Sequence, residues 1–182
     1  MKRIVIAVGL MILLFAVVAQ AQAPAPKPGP EHKKLEIWVG DWTFEEEGSA
    51  TPFGPAYKIN GKASVKPILG GFFVEWNADV KGPIATTKWF EIDGYDPVTK
   101  RYFWNWYGND GSVQSCTYTI EGSKASYSGT RVLGEKQART RGTIVFAPDS
   151  MSWTSKEEIS VDGKTWMPNF ENKFTKVKSS PK

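Results

Sequence analysis

The chain changes character at Trp38-Val39-Gly40-Asp41-Trp42. Before this stretch, the apolar residues follow helical spacing, which predicts one short helix over residues 31–39. Gly40 is a typical helix stop, because glycine adopts backbone conformations that other residues avoid. We therefore predict that Gly40 and Trp42 form a structural motif. The glycine turns the chain from a plug helix into the first strand, and the indole closes the base of whatever the strands enclose.

Beyond Gly40 the apolar residues recur at every second position. From Tyr57 to Lys66 and from Phe72 to Val80 they alternate with polar residues, as in strands with one buried and one wet face. Turn sequences such as Asp110-Gly111 and Asp162-Gly163 separate the runs. Further strands are expected to begin near Trp42 and to cover about 84–92, 101–107, 113–120, 124–132, 138–146, 151–160 and 166–177. The pattern predicts an all-β fold of about ten short strands.

A single antiparallel up-and-down β-barrel is favoured over a sandwich for two reasons. Strands joined by tight hairpins pair with their neighbours in the sequence, and closure then leaves no exposed edge. The sequence also contains 8 Trp residues, more than a thin core between two sheets packs comfortably. Closed barrels of about eight or more strands have an interior that side chains or one small ligand can fill.

The first residues have the pattern of a secretory signal peptide over residues 1–21. A basic Met1-Lys2-Arg3 precedes an apolar run and then small residues, and cleavage after Ala21 fits best. We expect residues 22–31 to be a Pro-rich tether, residues 32–177 to be the barrel domain and residues 178–182 to be a flexible tail. The protein is then exported, to the periplasm or the extracellular space, and has no stable membrane span after cleavage.

The composition disfavours several kinds of partner. Removal of Lys2 and Arg3 with the leader lowers the formal net charge from +4 to +2, and no dense basic run marks one face, so we expect no nucleic-acid partner. Cys116 is the sole cysteine in the sequence, which excludes an intrachain disulfide and a cysteine metal cluster. We interpret it as a small buried apolar residue.

The motifs of residues 31–177 resemble those of one family of secreted bacterial domains of unknown function with a lipocalin-like barrel. The similarity lies in His32-Lys33-Lys34-Leu35, Val39-Gly40-Asp41-Trp42, Ile68-Leu69-Gly70-Gly71-Phe72, Gly94-Tyr95-Asp96-Pro97 and Asp162-Gly163-Lys164. The resemblance implies a calycin-type antiparallel barrel, related in shape to lipocalins, fatty-acid-binding proteins and the haem-binding nitrobindins. It implies no particular activity, because a fold does not carry a function with it.

Haem is not expected as a cofactor. A nitrobindin-like haem site needs a proximal histidine on a late strand, whereas the sole histidine of this sequence, His32, precedes the barrel. The same histidine would have to serve any catalytic triad, and neither Cys116 nor a serine is placed beside it. We therefore predict no catalytic residues and no metal ligands. The run Glu45-Glu46-Glu47 lacks the loop geometry of a calcium site, and we interpret it as a solvated strand end.

The candidate ligand site is aromatic. Trp104 and Trp106 share one strand face, and we expect them to point inward together with residues of other strands: Trp76, Cys116, Tyr118, Tyr127 and Trp153. Arg131 shares a strand face with Tyr127 and would anchor an anionic head group, because a guanidinium binds a carboxylate with two hydrogen bonds. In the alternative, the aromatic side chains simply fill the core and Arg131 pairs with Glu91 or Glu157.

Three functions remain open from the sequence. The leading hypothesis is the binding of a small hydrophobic or anionic amphipathic ligand in the barrel. The second is an interaction or structural domain of the cell envelope, with a filled barrel and exposed aromatic residues such as Phe73 or Tyr107. The third is an enzyme that uses a polar group in the cavity, which a carboxylate or tyrosine of perturbed pKa would favour.

Overall fold

A computed structural model describes residues 26–178 of the chain. Ten antiparallel strands close into one barrel, in which each strand pairs with its neighbours in the sequence and the first strand also pairs with the last. The strands are β1 (Gly40–Gly48), β2 (Tyr57–Ile68), β3 (Phe73–Lys81), β4 (Lys88–Asp96), β5 (Arg101–Gly108), β6 (Val113–Glu121), β7 (Lys124–Leu133), β8 (Lys136–Phe146), β9 (Ser152–Ser160) and β10 (Met167–Lys176). The predicted all-β, single up-and-down barrel of about ten strands is confirmed.

Side chains alternate between the barrel interior and the solvent, because successive residues of a strand point to opposite faces. In β9, Trp153, Ser155 and Glu157 are buried, whereas Thr154 and Lys156 are exposed. The alternation places a continuous set of aromatic side chains inside the barrel. It also brings several charged side chains to the interior, where they line part of the cavity.

A short helical segment closes one end of the barrel. The helix α1 (Pro30–Lys33) continues as a 3₁₀ helix to Ile37, so the segment begins one residue before the predicted helix and ends two residues before its predicted end. The Trp38 side chain is buried, and the Trp42 indole Nε1 donates a hydrogen bond of 2.7 Å to the Trp38 backbone oxygen. Gly40 has a φ of 137° at the junction with β1, a conformation that side chains disfavour.

The fourth strand departs most from the sequence prediction, which placed it at about 84–92. β4 begins only at Lys88, because the preceding segment is held in a loop by side chains of the loop that joins β5 to β6. The Thr87 backbone N–H donates to Asn109 Oδ1 over 3.0 Å, and the Thr86 hydroxyl donates to Asp110. The bond from Thr87 satisfies a backbone N–H that would otherwise join the strand ladder.

The end of the barrel opposite the plug is its mouth. It is formed by the loops 49–56, 82–87, 109–112, 134–135 and 161–166. The predicted signal peptide (1–21), the first part of the predicted tether and the tail from residue 179 lie outside the described residues. Between residues 26 and 178, no helix is long and apolar enough to cross a membrane.

Candidate ligand-binding cavity

The barrel encloses a cavity of about 150 Å³ between the plug and the mouth. It adjoins a wider depression of about 410 Å³ at the mouth. Four residues line both spaces: Tyr57, Ile84, Thr86 and Arg131. The interior is therefore not completely filled by side chains, and its empty part is connected to the open end of the barrel.

Most of the predicted ligand-binding residues line this cavity, namely Trp76, Trp104, Trp106, Tyr127, Arg131 and Trp153. Tyr118 faces inward but is completely buried nearer the plug. Its hydroxyl accepts a hydrogen bond from Trp38 Nε1 (3.3 Å) and donates one to Asp93 Oδ1 (3.1 Å). Tyr118 thus belongs to the packing beneath the cavity. Cys116 is also buried, as predicted, and burial raises the pKa of its thiol to about 12, which keeps it unreactive.

A pair of carboxyl groups from β4 faces the inner part of the cavity. Asp93 accepts hydrogen bonds from Trp76 Nε1 (2.7 Å) and from the Tyr118 hydroxyl. Glu91 lies two residues earlier on the same strand face, beside Asp93. Burial raises the pKa of Asp93 to about 7, although its hydrogen bonds act in the opposite direction. Burial and the neighbouring Asp93 raise the pKa of Glu91 well above its usual value.

A second polar cluster lies nearer the mouth around Glu157. This carboxylate accepts hydrogen bonds from Gln114 Nε2 (2.6 Å), Asn169 Nδ2 (2.7 Å) and the Tyr127 hydroxyl (3.2 Å). Burial raises its pKa, while the charge of Arg131 lowers it. With three donors around it, Glu157 is well satisfied within the protein.

Glu46 completes the mouth-side cluster and corrects the interpretation of its run as a solvated strand end. Its neighbours Glu45 and Glu47 are exposed, but Glu46 points into the barrel and accepts a hydrogen bond of 2.7 Å from the Tyr57 hydroxyl. Burial raises the pKa of Glu46. The alternation already places this residue on the inward face of Trp42 and Phe44, so the position could have been found by parity alone.

Arg131 is the one cation among the described residues that line the cavity. Its guanidinium lies 5.4 Å from the centre of the Trp106 ring. In the described part of the chain, Arg131 forms no ion pair within 4.0 Å. The ion pair with Glu91 or Glu157 that the alternative predicts is therefore not formed, although the charge of Arg131 lowers the pKa of Glu157.

The residues that the sequence analysis missed are mainly polar. Among cavity-lining side chains that were not predicted as ligand contacts are Glu46, Tyr57, Trp89, Glu91, Asp93, Gln114, Glu157 and Asn172. All of them lie on the inward face of their strands. They were missed because charged side chains are usually exposed, and a partly hollow interior relaxes that tendency.

The sole histidine is remote from this cavity. His32 Nδ1 accepts a hydrogen bond of 3.2 Å from the Gly29 N–H, and its ring packs edge-on against Phe72 and Tyr95 at the plug end. Among residues 26–178, no group of three or more His, Cys, Asp or Glu side chains is arranged to hold a metal ion.

The fold and the cavity define a class of protein, the antiparallel β-barrels that enclose an internal space. Within this class, the chain belongs to the DUF1579 family, described as proteins of unknown function, whose family model matches residues 27–176. This confirms the predicted membership of a barrel family of unknown function. No curated protein matched the chain.

Comparison with solved structures supports the same fold. The chain is similar to Rv2717c from M. tuberculosis, whose crystal structure superposes with a TM-score of 0.58. The similarity covers 82% of this chain and 99% of that chain, at 10% sequence identity. At so low an identity the likeness establishes the barrel and carries no function.

Proposed function

We propose that this protein binds a small hydrophobic or amphipathic molecule inside its barrel. The observation that carries the proposal is the cavity of about 150 Å³ with aromatic walls, which adjoins the depression at the mouth. A dry cavity of about 150 Å³ accommodates a ring the size of benzene. Six of the seven residues predicted as ligand contacts border this space, and Arg131 stands where the cavity meets the mouth.

The other two functions have less support. An interaction domain would present a contiguous apolar patch, but the most exposed apolar side chains of the described residues, Leu69, Val98 and Val161, lie in three separate connections between strands. An enzyme would need groups of perturbed pKa in a pocket, and the raised pKa values of Glu91 and Asp93 provide them. The binding test therefore also monitors whether the protein chemically converts a bound compound.

Two substitutions at adjacent residues of β8 test whether the cavity is the binding site. Ile144 lines the cavity, whereas the Val145 side chain is 40% exposed on the outer face. Ile144→Phe places a larger side chain in the cavity and is expected to weaken binding at least tenfold, while Val145→Phe leaves binding unchanged. Tryptophan fluorescence and native mass spectrometry would follow binding of a panel of small aromatic and short-chain acyl compounds.

The outcomes separate the candidate functions. Equal binding by both variants would place the ligand outside the barrel, and absence of binding across the panel would contradict the proposal. A change in the mass of a panel compound, lost in an Asp93→Asn variant, would instead favour the enzyme.

We also propose that the protein acts after export. The support is the basic start, the apolar run and the small residues before Gln22. The expected mature protein begins at Gln22, and an intact mass measured on protein from the periplasm or the medium would check this. Recovery of the uncleaved chain from the cytoplasm would contradict it.

A further inference from the structure

The charges that line the cavity are unbalanced. Among the described residues at its wall, four carboxyl groups face one cation, Arg131: those of Glu46, Glu91, Asp93 and Glu157. Burial of a carboxylate is unfavourable unless a cation or hydrogen-bond donors compensate its charge. The chemistry of a matching ligand therefore depends on which of these carboxyl groups the protein itself leaves without compensation.

Glu91 is the group left without compensation. The carboxyl groups nearer the mouth receive donors from Tyr57, Gln114 and Asn169. Asp93 receives two donors from Trp76 and Tyr118. No donor of the described residues forms a hydrogen bond with Glu91, and its neighbour on the same face of β4 is Asp93, itself an acid. Glu91 therefore faces the cavity with accepting capacity that no donor of the described chain meets.

Indole rings surround Glu91. It lies in register with Trp76 on β3 and with Trp106 on β5. Trp89 is two residues earlier on the same face, and its ring lies 6.1 Å from that of Trp76 and 6.4 Å from that of Trp106, measured between centroids. Three adjacent indole rings beside a carboxyl group attract a cation through their electron-rich faces.

An independent observation also points to an occupant of the cavity. The side chain of Trp153, which lines the cavity, is only 7% exposed, yet its indole Nε1 has no hydrogen-bond partner among the described residues. Buried indole N–H groups usually find an acceptor. A bound molecule with a hydrogen-bond acceptor would supply one.

We propose that the ligand is a small aromatic amine, with its ammonium group at Glu91, its ring against Trp76, Trp89 and Trp106, and a polar oxygen that accepts from Trp153. This inference rests on the proposed function, since it names the class of molecule that the same cavity binds. It replaces the anionic head group at Arg131 with a cationic group at the inner end. The charge of Arg131 is instead partly balanced by Glu46 and Glu157.

Four matched probes test the charge and the acceptor. 4-Hydroxybenzylamine, 4-hydroxybenzyl alcohol and 4-hydroxyphenylacetate carry a cationic, neutral and anionic group on the same ring, and benzylamine lacks the ring hydroxyl. In calorimetric titrations of the mature protein at pH 7.5, we expect the first probe to bind about tenfold more tightly than the alcohol, because its ammonium group displaces the proton of Glu91 and forms a charge-assisted hydrogen bond with the carboxylate. The anion is expected to bind most weakly.

Variants locate the ammonium group. Glu91→Gln keeps the side-chain size and is expected to reduce 4-hydroxybenzylamine binding about tenfold, while binding of the alcohol is unchanged. The control is Glu75→Gln, on the outer face of β3, which should change neither affinity. Should the Glu91 variant fail to fold, the comparison of the amine, alcohol and carboxylate probes on the unmodified protein still tests the proposal, since it requires no substitution.

The NMR signal of the Trp153 indole N–H tests whether the ligand accepts a hydrogen bond from this group. It is assigned by its loss in Trp153→Phe, and we expect a larger shift with 4-hydroxybenzylamine than with benzylamine. Equal shifts would remove the acceptor from the proposal. Equal affinity for the amine and the alcohol, or preference for the anion, would overturn the amine proposal and leave a binding cavity. Failure of all four probes and of the wider panel to bind would contradict the proposed function itself.

Discussion

Two tyrosine side chains of the cavity pack against glycine residues of neighbouring strands. Tyr127 pairs in register with Gly142, and Tyr57 pairs with Gly48. In both pairs the tyrosine ring occupies the space where a Cβ atom would lie. Both hydroxyls donate to carboxyl groups of the cavity. The glycines therefore set the depth at which these hydroxyls reach the polar cluster near the mouth.

Gly142→Ala is expected to destabilise the protein by about 1–3 kcal/mol, since overpacking a well-filled interior forces side chains and backbone to shift. The added methyl would displace the Tyr127 ring and its hydrogen bond to Glu157. Urea unfolding would measure the change. Gly54→Ala is a suitable control, because no atom lies within 4 Å of the Cβ that it adds and its effect should be near zero.

The alternation of inward and outward positions along the strands predicts more of the site than the aromatic residues alone. Glu46 follows Trp42 and Phe44 on one face of β1, and Glu157 follows Trp153 on one face of β9. The inward orientation of Glu46 and Glu157 was therefore predictable from the sequence. Their hydrogen-bond partners could not be read from the alternation, because those depend on which strands pair and in what register.

At the scale of elements, the plug is joined to the barrel mainly through two indoles. Trp38 contacts the rings of Trp76, Phe146 and Trp153 inside the barrel. Trp42 belongs to β1 and bonds back to the Trp38 backbone. The plug thus packs as part of the core at the closed end.

Trp42→Ala should destabilise the protein by about 3–5 kcal/mol, because the side chain is 1% exposed and its removal leaves a large cavity under the plug. The midpoint of thermal or urea unfolding would measure this. Trp166→Ala provides the comparison, since Trp166 stacks on Arg141 (4.1 Å between guanidinium carbon and ring centre) outside the barrel. Similar losses in the two variants would contradict the role of Trp42 in holding the plug.

The positions of the strands were predictable from the sequence where the alternation of apolar residues and the turn residues determine them. The alternation and the Gly-containing turns located β2, β3 and the strands from β5 onward to within about two residues. The start of β4 was not predictable, because Thr86 and Thr87 are held by Asn109 and Asp110. Those residues are distant in sequence, and their proximity follows only from the closed barrel.

At the scale of the whole molecule, the acidic interior makes stability depend on pH. The folded-state pKa of Asp93 is about 7 and that of Glu91 is raised well above its usual value, whereas unfolded carboxyl groups titrate near 4. The folded state therefore binds more protons between these values. The associated stability is complete below about pH 4 and is lost as the pH rises through about 7 and above.

We expect the unfolding temperature of the ligand-free protein to fall by about 5 °C from pH 5 to pH 8, as a loss of 1–2 kcal/mol produces in a domain of this size. The groups that face Glu91 are Asp93, Tyr118 and Cys116, and Glu91→Gln should make the fall smaller. Glu75→Gln should retain the full dependence. Calorimetry at both pH values would measure it, and an increase in stability toward pH 8 would contradict the assignment.

The pairing of β1 with β10 has a consequence for how the chain reaches this structure. Every other pairing joins strands adjacent in sequence, so those hairpins can form early and locally. The closing pair brings Trp42 opposite Lys176 and requires almost the whole chain. Until β10 has been synthesised and docked, the sheet keeps two bare edges that can pair with other chains. The seam is therefore both the last contact to form and the point at which an incomplete chain is most prone to aggregate.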